Sequence, residues 1–272
     1  MISAHLFDNI RETIGCDYEL IVIDNSANKF SIFEAYNLGI KKSIGKFLCF
    51  IHDDIFIHTI GWGRVLLRIF EDDNVGLIGV AGAKIKSKTP SAWWDCPENH
   101  KVINIIQHFK HKKKEIWNFG FENKQKIEVV AIDGVFMIMR KDKRIKFDSN
   151  MEGFHNYDLN ISFEFKKLGF VIIVSKEILI EHFSLGTINI AWIDSTYKIH
   201  QKYKDFLPIV VGEHYEKKNE TVNAKKFINE CCRHKKYTIA IHIWIKLFLL
   251  NPISKYHYHF WKKILKKSIC LL

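Results

Sequence analysis

Apolar positions recur every three to four residues near the start of the chain, where Leu6, Ile10 and Ile14 predict a helix over 5–14. The period then changes. Residues 19–24 (ELIVID) form a short β-branched run closed by the turn residues Asn25 and Ser26, the pattern of a buried parallel strand. Phe33, Tyr36, Ile40 and Ile44 restore a helical period that stops at Gly45. Residues 46–51 (KFLCFI) predict a second buried strand, halted by His52-Asp53-Asp54. Trp62, Leu66, Ile69 and Phe70 mark another helix before a strand-like 75–81. This β-α-β-α-β order predicts an α/β fold with a mixed, mainly parallel sheet, helices on both faces and ligands at the carboxyl ends of its strands.

The middle is less regular. Residues 101–126, with the cluster Lys110-His111-Lys112-Lys113-Lys114, read as a loop or excursion. Two strand pieces flank Asp133-Gly134 within 128–140, a helix covers 157–168 up to Gly169, and short strands follow at 170–174 and 178–183. Residues 198–221 read as a polar connector and 222–272 as a basic amphipathic helical tail, leaving 1–197 as the main domain.

At 272 residues the chain can bury one large core with an appendage, and four prolines with 47% apolar residues exclude a disordered or linker-rich protein. The net charge of +11 is unevenly placed: from Thr221 onward eleven Lys and Arg face one acid, Glu230. The tail therefore carries the basic character. Six cysteines show neither CxxC pairing nor zinc-site spacing, and Cys16 and Cys49 lie beside or within apolar runs, as small buried hydrophobes do. These features predict a reduced, cytoplasmic protein. His5, Asp8, Arg11 and Glu12 leave no room for a signal-peptide core, and the apolar run at 237–250 is too short to span a bilayer.

Two acids released between apolar runs at a strand end can hold a divalent cation that bridges substrate phosphates, or can cap the next turn. The words around Asp53-Asp54 bear on that choice. Val22-Ile23-Asp24-Asn25-Ser26, Tyr36-Asn37-Leu38-Gly39-Ile40 and Gly45 through His52-Asp53-Asp54 resemble the nucleotide-binding half of family-2-like GT-A glycosyltransferases. The subgroup related to the streptomycin-biosynthesis glycosyltransferase has His-Asp-Asp where other members have Asp-x-Asp. Asp133-Gly134-Val135-Phe136, Gly153 through Asn160 and Glu181-His182-Phe183-Ser184 continue the likeness, which spans roughly residues 17 to 190.

The resemblance implies a transferase that uses a nucleoside-diphosphate-sugar, a UDP-sugar favoured, and Mn2+ or Mg2+. It implies that Asp24 contacts the base beside Asn25 and Ser26, and that Asn37 flanks the ribose and phosphates. Asp54 and His182 become the metal ligands. His52 replaces an acid that touches the ribose, and Asp53 is a further ribose or metal contact. Asp158 becomes the general base, while Asp133 and Gly134 line the sugar and acceptor side. His155 orients the loop before Asp158 or meets the acceptor. Trp93 and Trp94 are either a stacking platform for an acceptor sugar or core packing.

No run of the kind that forms the family's first strand stands ahead of residue 5: either the chain starts late or the strand is absent. Its loss would leave a neighbouring strand edge unpaired and weaken the nucleotide contacts and activity. The expected function is inverting transfer to a glycan or lipid-linked acceptor in bacterial cell-surface polysaccharide synthesis; the alternative is a non-catalytic, membrane-associated scaffold on a degenerate fold. The basic tail suits an anionic membrane surface and peripheral attachment to the inner face of the plasma membrane, or a helical subdomain packed on the body. No helix-turn-helix, zinc-finger or RNA-recognition word accompanies the charge, so nucleic acid is not an expected partner.

Overall fold

The computed structural model describes residues 4–212 and 215–269; Cys270 lies outside them. Helix α1 (Ala4–Thr13) buries Leu6 and Ile10, and its Asn9 is fastened to the backbone of Ile57. Asn9 Oδ1 accepts from the Ile57 N–H at 2.8 Å, while Nδ2 donates to its carbonyl at 3.0 Å. Helix α2 (Ile32–Lys42) begins on a capping box: Ser31 Oγ accepts from the Glu34 N–H, and the Glu34 carboxylate accepts from the Ser31 N–H. Strands β1 (Phe47–Ile51) and β2 (Ile55–Ile57) flank the His-Asp-Asp turn, and α3 (Trp62–Ile69) follows. Then come β3 (Val75–Gly79), β4 (Ala81–Ala83), β5 (Ile85–Lys86), β6 (Lys101–Gln107), β7 (Glu115–Phe119), β8 (Lys126–Val129), β9 (Ala131–Ile132) and β10 (Phe136–Arg140). The remainder is α4 (Tyr157–Lys167), β11 (Val171–Ser175), β12 (Ile180–His182), α5 (Ile190–Lys202), β13 (Ile209–Val210), α6 (Lys217–Arg233), α7 (Tyr237–Leu250) and α8 (Tyr256–Ile269).

The expected α/β fold with a helical appendage is present, but its sheets are not mainly parallel. One sheet runs β1-β10-β3-β11-β8; the other runs β2-β12-β6-β4-β9, with β7 beside β6. Among the described residues parallel pairing is confined to β11–β3 and β12–β6. The difference has two sources. The first is 19–24, which forms no strand: Leu20 and Val22 stand exposed, Val22 at 54%. No described strand runs alongside this segment, and a β-branched run without a ladder partner cannot become a strand, whatever its propensity.

The second source is 101–126. It is not a plain loop but the antiparallel hairpin β6–β7, because Val102, Ile103, Ile105 and Ile106 all find buried sites and leave the lysine cluster at the connection. Strand β1 ends its sheet. Pairing of Lys46 O with the Lys141 N–H and of the His52 N–H with Val135 O turns the amides of Phe47, Cys49 and Ile51 toward the open edge. Cys49, expected to be buried, is exposed there.

The connector is also shorter than 198–221. Ile199, Tyr203 and Leu207 lie in the main core, and β13 pairs with β5. A second core joins Trp192 and Ile193 of α5 to Phe227, Ile228, Ile243, Leu247 and Phe260. Helix α6 is bolted to the body through Glu220, which accepts from the N–H groups of Lys88 and Thr89 at 2.7 Å each.

Candidate active site

The turn after β1 and the end of β12 bring His52, Asp54 and His182 together, with their ligating atoms within 4.8 Å of one another. Asp54 Oδ1 lies 3.8 Å from His52 Nδ1 and 3.7 Å from His182 Nε2. The orientation of His182 is fixed from behind. Gln107, at the end of the adjacent parallel strand β6, directs its Nε2 to the carbonyls of His108, His182 and Ser184. Its Oε1 must therefore face His182 Nδ1, at 3.1 Å, and Nδ1 carries the proton. This leaves Nε2 a bare lone pair, buried and without a hydrogen-bond partner. Burial also holds the His182 pKa below its ordinary value, which keeps the ring neutral.

An orphaned, neutral imidazole nitrogen facing a carboxylate and a second imidazole fits a divalent metal ion. The ligand set differs from expectation in one respect. His52, expected at the ribose, joins the cluster, whereas Asp53 points out of it and is exposed. On its other side His52 Nε2 is 2.6 Å from the hydroxyl of Tyr157.

Tyr157 opens α4 immediately before Asp158. Its N-cap, Asn156, takes the left-handed conformation at φ 63°, which Asn tolerates, and its Nδ2 donates to Ser195 Oγ and Thr196 Oγ1 at 3.1 Å each. Asp158 accepts the Leu159 N–H at 2.7 Å. Burial first, and the charge of Asp133 second, raise the Asp158 pKa to about 7. Asp133 receives the Val135 N–H on Oδ1 at 2.7 Å and the Trp93 indole N–H on Oδ2 at 2.8 Å. Its charge is felt by Asp158, Tyr157 and His182 alike, which couples the metal-competent cluster to the raised acid. Gly134 packs its backbone on the Tyr157 ring: a Cβ there would lie 2.3 Å from the hydroxyl oxygen.

The other predicted residues divide. Trp93 is buried and holds Asp133, rather than offering a stacking face, while Trp94 meets it edge-on and lines a separate cavity of about 240 Å3 with Trp192, Lys226 and Arg233. Asn25 and Asn37 both spend their amides on backbone, Asn25 on Phe30 and Asn37 on Phe147. Asp24, itself exposed, accepts the Ser26 N–H at 3.0 Å and is not one of the three clustered ligands. The half-buried His155 is held through its carbonyl by Ser195 Oγ at 3.0 Å. Asp53 and Asp54 line a cavity of about 490 Å3 whose opposite wall is His5, Asp8, Asn9 and Glu12 of α1. With four carboxylates around it, this cavity accepts an anionic ligand only together with a cation.

Gln107 and Tyr157 escaped the sequence reading. Gln107 closes the apolar run of β6, and only the parallel pairing with β12 gives it meaning; Tyr157 stands in the same word as a more conspicuous acid.

No curated protein matches the chain. Among solved structures it is similar to GalNAc-T7, crystallised with UDP, GalNAc and Mn2+, at 11% identity and a TM-score of 0.43 over 65% of this chain and 36% of that one. It is also similar to A197 from STIV, at 13% identity and a TM-score of 0.30 over 67% of this chain and 74% of that one. Likenesses this distant carry nothing about chemistry. The model of a family described as glycosyltransferase-like matches residues 3–214, well over half the chain, and the protein belongs to that glycosyltransferase-like family.

Proposed function

We propose that this protein is a metal-dependent, inverting glycosyltransferase that moves a sugar from a nucleoside-diphosphate-sugar, a UDP-sugar favoured, to a glycan or lipid-linked acceptor in bacterial cell-surface polysaccharide synthesis, on the cytoplasmic side. The observation that carries the reading is the pairing of a neutral, partnerless His182 Nε2 beside Asp54 and His52 with a half-buried Asp158 poised near neutrality. Mn2+ or Mg2+ bound there would neutralise the leaving diphosphate, and two imidazoles with one carboxylate favour Mn2+ over Mg2+. His182 and Asp54 hold the ion. His52, steadied by Tyr157, completes the set, and Asp53 faces the donor from the cavity side.

Asp158 takes the proton of the acceptor hydroxyl as its oxygen bonds to the anomeric carbon and the bond to the diphosphate breaks. A base with a pKa of about 7 is matched to that task at physiological pH. Asp133 and Gly134 shape the sugar and acceptor side, with Trp93 holding Asp133 and Trp94 as an outlying aromatic contact for the acceptor. His155 orients the loop that presents Asp158. Asp24, Asn25, Ser26 and Asn37 remain the base and ribose side, the two asparagines acting through the loops they close. The His52-Asp53-Asp54 word supports placement with the streptomycin-biosynthesis-like subgroup.

The test is Asp158→Asn, which should abolish transfer and leave UDP binding intact; retained turnover removes Asp158 as the base. A non-catalytic scaffold is the second reading. It draws on the exposed 19–24 segment and the open edge of β1, and it predicts that the intact chain binds no nucleotide.

A further inference from the structure

The C-terminal helices spend their inward faces on the second core they share with α5, yet a second apolar surface is left over. In α8 the inward stripe is His257, Phe260 and Ile264. One residue on, about 100° around the helix, Tyr258, Trp261 and Leu265 form an outward stripe, all exposed. Leu249 and Leu250 at the end of α7 and Ile253 in the turn before α8 continue it. Leu249 is 78% exposed and Ile253 93%.

The charge around this surface has one sign. After Glu230 the sequence has nine Lys and Arg and no acid. Lys262, the next residue after Trp261, borders the apolar stripe on α8, and Lys255 stands in the turn just before the helix beside Ile253; both are exposed. Lys246 of α7, which feels the charges of Lys88 and Lys204 of the body, is exposed as well.

These features select among occupants. A second copy would set the same uncompensated lysines against each other across an isologous contact. Protein interfaces are depleted in lysine at their centres. A Trp and a Tyr beside exposed aliphatic side chains, flanked by lysines whose stems can run along the apolar surface, are what the headgroup layer of an anionic bilayer takes. No helix among the described residues is long and apolar enough to cross a membrane, and α7, with 14 residues, falls short of the roughly 20 that a span needs.

We propose that the α7–α8 turn and the outward stripe of α8 form a peripheral membrane-docking surface: Leu249, Leu250 and Ile253 dip below the headgroups of an anionic bilayer, while Lys255 and Lys262 hold its phosphates. This goes beyond the transferase reading and does not depend on it.

The experiment is co-sedimentation of the full chain with vesicles of phosphatidylcholine alone, or of phosphatidylcholine with about 30% phosphatidylglycerol, at low and high salt. Binding is expected to the anionic vesicles only and to weaken with salt. Leu249→Ser/Ile253→Ser alters side chains that contribute little to the fold and should weaken that binding by about tenfold or more. Lys255→Glu/Lys262→Glu should remove the preference for phosphatidylglycerol. The proposal is overturned if the full chain ignores anionic vesicles, if both variants bind as the parent does, or if sedimentation velocity shows a dimer that the Ser variant dissolves. UDP titration of the same variants is a separate readout, so lost vesicle binding with retained nucleotide binding counts against neither the donor site nor the base.

Discussion

Gly134→Ala puts the smallest possible change at the contact between the Asp133 loop and Tyr157. The position needs no left-handed backbone, so the effect is steric alone. A methyl group would stand 2.3 Å from the Tyr157 hydroxyl oxygen and 2.5 and 2.6 Å from two ring carbons. Ordinary carbon contacts begin near 3.5 Å, so ring and loop must separate by about 1 Å. Tyr157 has little room to yield: it is buried, with Tyr36 edge-on at 5.5 Å and His52 on its hydroxyl at 2.6 Å. Overpacking of this kind costs about 1–3 kcal/mol. For a chain of this size that lowers Tm by about 2–12 °C, at about 2–4 °C per kcal/mol. The displaced ring also releases His52, so UDP affinity in Mn2+ should fall in the same variant. Scanning calorimetry and UDP titration read the two effects. An unchanged Tm with unchanged UDP affinity would show that the loop moves freely off Tyr157 and that the ring does not position His52.

Gln107→Leu removes the acceptor that orients His182 Nδ1 and the donor to three carbonyls. Divalent-metal affinity should drop about 10–100-fold by Mn2+ titration; unchanged affinity would free His182 of its orienting role. The pH dependence of transfer and of donor binding should separate. Asp158 accepts a proton only when ionised, and its pKa is raised to about 7, so transfer should rise with pH through that value and fall below it. His182 titrates below its ordinary 6.5, so Mn2+-dependent UDP binding should persist at pH values where transfer has already declined. If both readouts fall together, Asp158 is not the group that limits transfer.

Much of the fold was legible because its patterns are local. The helical period over 33–44, the strand pieces around Asp133-Gly134 and the helix carrying Asp158 depend on spacing alone, and each formed, although α2 stops at Lys42 and leaves Ile44 exposed. What failed depends on partners. ELIVID has the composition of a strand, but no described strand lies beside it. KVINIIQ sat in a lysine-rich segment that read as a loop until β12 and β7 paired with it. The site shows the same division. His52, Asp54, Asp158 and His182 were visible as words in a familiar order. Asp54 and His182 were expected at one metal site, and the pairing of β12 with β2, where His182 lies opposite Ile55, is what brings them together; that His52 joins them was not legible. Trp93 was noticed for its aromatic ring, and its indole N–H proved the relevant part.

The most direct test is calorimetric titration of UDP into the intact chain with and without Mn2+, repeated on Asp54→Ala. The account predicts binding that requires Mn2+ and is lost in Asp54→Ala. Binding that is equal without the metal, or unaffected by the substitution, would contradict the assignment of His52, Asp54 and His182 as the metal-bearing donor site; no binding at all would favour the non-catalytic scaffold.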